Sequence, residues 1–259
     1  MQIDASYTGS IGLPYTSANG YTEYRQKFLQ LTGSTLTNIG LGQGAGSGKI
    51  QIDYQGTDHV TNIYQTAQST ERGMPAVQIK GGNSASKVNL IKGTLGLALS
   101  AGETATLPTL NMSYAGNIAG DAQVWTGTGC TLTTVSKTGG SLYSLCAVTT
   151  LTSYAGSTTV LAGNMTTASL LDGGSGKNSL KYQPPAGGTI TTNTVENNCT
   201  LDCSGTLSTV TLTNSTWYKG ATINAPGANV TMSNHASIPD GQASDVTVNL
   251  GVGKHILID

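Results

Sequence analysis

Charge is scarce in this sequence: 10% of its 259 residues are Asp, Glu, Lys or Arg, and only 5% are aromatic. Soluble domains ordinarily carry charge on about a quarter of their residues. Amphipathic helices need Glu, Lys, Arg and Leu in quantity, so composition argues against a helical bundle. The shortage covers both signs, since 12 Lys and Arg stand against 13 Asp and Glu for a net charge of −1. A nucleic-acid partner would need a basic face, and none is on offer. No polybasic stretch seeks an anionic membrane surface, and no apolar run approaches the ~18 residues of a spanning helix. Met1 to Gly9 shows neither the basic n-region nor the apolar h-region of a signal peptide, so synthesis and assembly in a cytosol are expected.

Metal ligands are equally sparse. The four cysteines, Cys130, Cys146, Cys199 and Cys203, form no CxxC pair, and His59, His235 and His255 lie far from them in sequence. No zinc site or other cofactor is expected from such spacing. Catalytic motifs are missing as well: there is no GxSxG, HExxH, P-loop or EF-hand loop. From Leu107 to Ser233 the only acids are Asp121, Asp172, Glu196 and Asp202. Glycoside hydrolysis needs two carboxyls at a set separation, and only Asp172 and Glu196 qualify as a pair, both at turns where acids are ordinary. The expectation is a chain that is not an enzyme.

What remains is rich in one respect. There are 35 Gly, and 37% of residues are hydrophobic, many of them β-branched. That combination suits short strands ended by tight turns. Ile50, Ile52 and Tyr54 alternate with polar residues, and Ala76–Gly81 and Val88–Gly93 both close on Ile-Lys-Gly. The central stretch repeats. An apolar residue followed by Ser/Thr-Thr recurs at Leu132–Val135, Val148–Leu151, Met165–Ala168, Ile190–Asn193 and Leu207–Val210, with Leu107–Leu110 as an earlier copy. Each of the five is followed at a fixed offset by a turn pair: Gly139-Gly140, Ala155-Gly156, Asp172-Gly173, Asn197-Asn198 and Asn214-Ser215.

Such a repeat is the signature of coils that cannot bury their apolar face alone and do so by stacking. The gaps predict coils of 16 to 17 residues, with 174–188 as a loop inserted into one coil. The expected fold is therefore all-β, a single-stranded parallel β-helix (solenoid) with short coils; an antiparallel β-sandwich is the alternative. Residues 1–45 read as an N-terminal arm or cap, 46–235 as the solenoid, and 236–259 as C-terminal capping strands. In this register Cys130 and Cys146 stack on neighbouring coils, within the Cα range of a disulfide; in a cytosol the expected form is a pair of reduced, buried small hydrophobes. Asp172 and Glu196 come together beside a turn. Trp125, Trp217 and Tyr218 are candidates for a sugar-binding face.

Ala76–Gly81, Lys92-Gly93, Gly102–Asn111 and the Thr-Thr…Gly-Gly repeats, in that order, resemble phage virion proteins of the β-helical head-decoration or cement type. The resemblance covers about residues 49–220. It implies a homotrimer on the capsid surface of a virion, bound to the major capsid protein, with no catalytic residues. Within that reading the partner-binding residues are Tyr21, Tyr24, Arg25, Phe28 and Leu29, because anchor types concentrate there. A surface glycan is a further candidate ligand. The alternatives are a tail fibre or tailspike that binds host polysaccharide, and a secreted adhesin.

Overall fold

A computed structural model describes residues 2–3, 10–13, 26–32, 38–41, 49–55, 62–65, 77–80, 87–90, 93–112, 122–154, 156–172, 177–184, 186–205, 210–227, 230–232 and 246–258, with side chains described only at positions within 79–227 and 246–255. Every described element is a β-strand, and the strand pairs with a defined register are parallel. The antiparallel sandwich is therefore set aside, and the chain is a parallel β-solenoid. Two compact units divide it, Met1–Thr133 and Thr134–Asp259.

Unit 1 holds β1 (Gln2–Ile3), β2 (Ser10–Leu13), β3 (Gln26–Thr32), β4 (Asn38–Leu41), β5 (Lys49–Gln55), β6 (Asn62–Gln65), β7 (Val77–Lys80), β8 (Lys87–Leu90), β9 (Gly93–Leu97), β10 (Ala105–Met112) and β11 (Ala122–Thr126). The odd strands stack in the order β1-β3-β5-β7-β9-β11 and the even ones in the order β2-β4-β6-β8-β10. Strand β12 (Cys130–Lys137) carries the chain into the next unit.

Unit 2 continues with β13 (Gly140–Ser144), β14 (Val148–Ser153), β15 (Ser157–Leu161), β16 (Met165–Leu170), β17 (Asn178–Tyr182), β18 (Gly188–Ile190), β19 (Thr192–Val195) and β20 (Cys199–Asp202). It closes with β21 (Val210–Leu212), β22 (Ser215–Trp217), β23 (Thr222–Ala225), β24 (Val230–Met232), β25 (Thr247–Leu250) and β26 (Ile256–Ile258). One face stacks β13-β15-β17-β20-β23-β25 and another stacks β14-β16-β19-β22. Short pairs β18-β21 and β24-β26 add a third set of parallel contacts.

The period-two pattern explains the core. Along β13, β15, β17, β20 and β23 one register position reads Leu142, Thr159, Leu180, Leu201, Ile223. All five are buried, and the four aliphatic ones are fully so. Each buried Leu or Ile contributes about 1.5–3 kcal/mol by leaving water. The alternate register position faces outward and reads Ser141, Thr158, Ser179, Thr200, Thr222. On the β14 face, Thr150, Thr167 and Thr192 stack in the same way. Thr suits such positions because its branched side chain packs well on a pleated surface.

The register departs from the repeat read in the sequence. Val148 pairs with Met165 and Leu151 with Ala168, seventeen residues apart as expected. Thr167 pairs with Thr192, which is the expected 25-residue step. But Asn193 pairs with Ser215 and Ile190 with Leu212, a step of 22 rather than 17. Of the expected copy Leu207–Val210, only Val210 is among the described residues, and it pairs with Gly188. Ser215, expected in a turn, is a fully buried residue of β22. The stretch 174–188, expected as a loop, contains β17, a full rung between β15 and β20. Steps elsewhere reach 28 residues, as between Gln2 and Gln30. Coil length is set by the turns, which vary freely while the strands keep their stacking.

Residues 1–45, expected as an arm or cap, contain β1 to β4, each paired in parallel with a neighbour. Leu29 stands at the register position of Ile52, and Ile52 at that of Ile79. The alternation of Lys27, Leu29 and Leu31 matches that of Ile50, Ile52 and Tyr54, so the segment forms a rung. At the other end, β25 pairs with β23 and β26 with β24.

Close stacking forbids side chains at some corners. A Cβ on Gly163, in the turn between β15 and β16, would overlap the backbone of Cys146 and Ala147 one coil back. Gly163→Ala is expected to destabilise unit 2 by about 1–3 kcal/mol, through a forced backbone shift. The urea midpoint of the variant checks this, and an unchanged midpoint would contradict the packing described.

Candidate functional site

The turns that follow β16, β19 and β22 are built from consecutive residue pairs: Leu171-Asp172, Glu196-Asn197 and Tyr218-Lys219. They line up because Leu170 pairs with Val195 and Val195 with Trp217. Glu196 carboxylate Oε2 accepts the Asp172 backbone N–H at 2.8 Å, and Asp172 Oδ2 accepts from Asn197 Nδ2 at 3.3 Å. The left-handed backbone of Asn198 (φ 58°) then turns the chain into β20. Asp172, Glu196, Asn197, Tyr218 and Lys219 line a cleft of about 490 Å³.

Asp172 and Glu196 thus meet beside a turn on adjacent coils, as the repeat register expects. Their first task is local, since each binds a turn donor rather than the other carboxylate. Of the aromatics considered for a sugar-binding face, Trp125 and Trp217 are buried, at 5% and 0% exposure, so that face cannot include them. Trp217 Nε1 instead donates to Asn193 Oδ1 at 2.9 Å in the core. Both tryptophans fall in strands, where an indole gains more from burial than from display. Tyr218 is exposed. Among the expected partner-binding residues, Tyr21, Tyr24 and Arg25 lie outside the described residues. Phe28 and Leu29 lie in β3, opposite Gln51 and Ile52.

The structure also reveals a group that the sequence reading passed over. Lys137 is fully buried. Its ammonium donates to Thr158 O and, at 2.9 Å, to Thr159 Oγ1. Burial lowers its pKa to about 7. Thr159 is the one polar member of the Leu142–Ile223 column, and it serves this lysine. The signal was available: Lys137 lies two residues beyond Val135, on the inward-facing phase of β12.

All four cysteines are free and buried. Ser144 Oγ bonds the Cys146 carbonyl at 3.0 Å and lies 3.3 Å from its sulfur. Desolvation raises Cys199 to about 11 and Cys203 to about 12, with nearby carboxylates adding to the rise. Thiolate is the reactive form. The native chain at pH 8 is therefore expected to resist a thiol-disulfide reagent and to yield four thiols once unfolded. Rapid native labelling at Cys199 or Cys203 would contradict their burial. Among the described residues, no group of three or more His, Cys, Asp or Glu is placed to hold a metal.

The fold defines the class: an all-β chain of parallel stacked coils. Comparison with protein-family models, with curated proteins and with solved structures finds no match.

Proposed function

We propose that the chain is a non-enzymatic structural component of a virion, a capsid decoration or cement protein that binds the head surface and stabilises it. The observation that supports this most is the stacking of short parallel rungs around an aliphatic column in unit 2, with Ser and Thr on the outer positions. Such a stack is stiff along its length. Its charge-poor outer face suits a post whose work is mechanical. In this reading the protein is a homotrimer assembled in the host cytoplasm, and it docks on the major capsid protein through the region of Tyr21, Tyr24, Arg25, Phe28 and Leu29. Binding to the assembled shell alone stabilises it by mass action.

Quantitative mass analysis of purified virions tests the reading. Hundreds of copies per particle support head decoration, and absence from the particle overturns the virion assignment. A handful of copies favours the second reading, a tail fibre or tailspike that binds polysaccharide. The observation behind that reading is the exposed Tyr218 beside the polar cleft.

A further inference from the structure

One edge of unit 2 repeats a single geometry over four coils. Tyr154, Leu171, Glu196 and Tyr218 each follow directly on the end of a strand, and each donates its backbone N–H one coil back. The acceptors are Lys137 O (2.9 Å), Ser153 O (2.8 Å), Leu170 O (2.9 Å) and Val195 O (2.9 Å). These four residues therefore stand in one column along the coil axis. Tyr154 is 37% exposed and Tyr218 is 36% exposed. Three coil steps separate them, which is roughly 14 Å at the ~4.8 Å spacing of paired strands. Between and beside them lie Asp172, Glu196, Asn197 and Lys219, lining the cleft of about 490 Å³.

The chemistry of this strip is selective. Two tyrosine rings supply flat apolar faces with polar rims. The carboxylates of Asp172 and Glu196 are already fixed by turn hydrogen bonds, so accepting further donors costs them little ordering. Two carboxylates against one ammonium give no positive field, which disfavours nucleic acid and anionic lipid. The only aliphatic side chain in the column is the half-buried Leu171, too little for the apolar centre of a protein interface. A ligand is required that offers hydroxyls at its edges, weakly polar faces, and enough length to run along the stack.

We propose that this strip binds a linear, uncharged polysaccharide laid along the coil axis. Tyr154 and Tyr218 stack on sugar rings at its two ends. Asp172, Glu196, Asn197 and Lys219 hydrogen-bond hydroxyls between them. The inference rests on and deepens the second reading above, naming the ligand's axis and the residues that hold it; sugar binding is measured on the free protein and copy number on the virion, so the two fail distinguishably.

The test uses the full chain in titration calorimetry with maltohexaose, cellohexaose, laminarihexaose and chitohexaose, and with the matching disaccharides. At least one hexaose is expected to bind, with its disaccharide weaker by about tenfold because it cannot reach both rings. Tyr154→Ala and Tyr218→Ala are each expected to weaken that hexaose by about tenfold, and Tyr218→Phe by much less, since the stacking face survives. Each tyrosine is about two-thirds covered, so the alanine variants lose some stability, and Tyr218→Phe, which keeps that packing, separates loss of the fold from loss of the sugar contact. Failure of all four hexaoses overturns the proposal, whether or not a protein is found on the strip. Binding that survives both alanine substitutions also overturns it.

Discussion

Unit 2 is expected to become more stable as pH rises from about 7 to about 9, because the interior then no longer holds a charge. Lys137 has a pKa of about 7 in the fold against 10.5 when free of it. Below pH 7 the amine is protonated in both folded and unfolded chains, and the full cost of the buried charge is present. Between the two values the folded chain holds fewer protons than the unfolded one, so stability rises with pH. The slope is about 1.4 kcal/mol per pH unit, and the whole effect is of order 5 kcal/mol. From about pH 8 the thiols oppose it. Unfolded Cys199 and Cys203 lose their protons around 9.0 while the folded ones keep theirs to about 11 and about 12, which removes stability. The two thiols together remove about 0.8 kcal/mol by pH 9, so the net gain over the window from pH 7 to 9 is about 1.5 kcal/mol. Lys137→Met is expected to remove the rise across that window and to raise stability at pH 7. Part of the gain is offset because Thr158 O and Thr159 Oγ1 lose their donor, at about 1–3 kcal/mol. Urea unfolding at pH 7, 8 and 9 reads both effects. An equal slope in Lys137→Met would show that the lysine is not its source.

The second large effect is expected at Trp217. Its side chain is fully buried at the end of the Ser153, Leu170, Val195 column. Its Nε1–H donates to Asn193 Oδ1, and Asn193 Nδ2 in turn donates to Ser215 Oγ (2.7 Å) and Thr213 O (3.2 Å). One asparagine of β19 thus holds three residues of a single segment, 213–217, on the next coil. Trp217→Ala removes the ring and leaves a cavity, at about 3–5 kcal/mol. Trp217→Phe keeps most of the volume but strands a buried amide oxygen, at about 1–3 kcal/mol. Urea midpoints should rank wild type above Trp217→Phe above Trp217→Ala. Equal midpoints for wild type and Trp217→Phe would mean that the indole hydrogen bond contributes nothing.

Much of the fold was legible because stacking writes itself into the sequence. Val148-Thr-Thr-Leu151 over Met165-Thr-Thr-Ala168 follows from the shared motif, and the left-handed turns at Gly140, Gly156 and Asn198 follow from Gly and Asn. The 17-residue step expected from Ile190 to Leu207 becomes 22 for a physical reason. The 17-residue step has 3 residues between Leu161 and Met165, whereas 7 separate Asp202 from Val210, so Ile190 comes to pair with Leu212. Asn193 and Ser215 occupy the inward position as a polar clamp, and a search for aliphatic periodicity passes over them. The meeting of Asp172 with Glu196 was legible because the two lie at corresponding turn positions. The burial of Trp125 and Trp217 was not, since a Trp in an alternating strand reads equally well as displayed or enclosed. Tyr154 drew no notice because a single tyrosine beside a turn becomes part of a strip only once coils of unequal length are brought into line.

Engineered cross-links between rungs test the stacking most directly. Thr194 pairs with Thr216 across the 22-residue step, whereas Thr211 pairs with Thr189. Neighbouring rungs lie about 4.8 Å apart, inside the Cα range of a disulfide. Thr194→Cys with Thr216→Cys is expected to close a disulfide under mild oxidation in the folded chain, while Thr194→Cys with Thr211→Cys stays open. The reverse pattern, or no bond in either pair, would contradict the solenoid described.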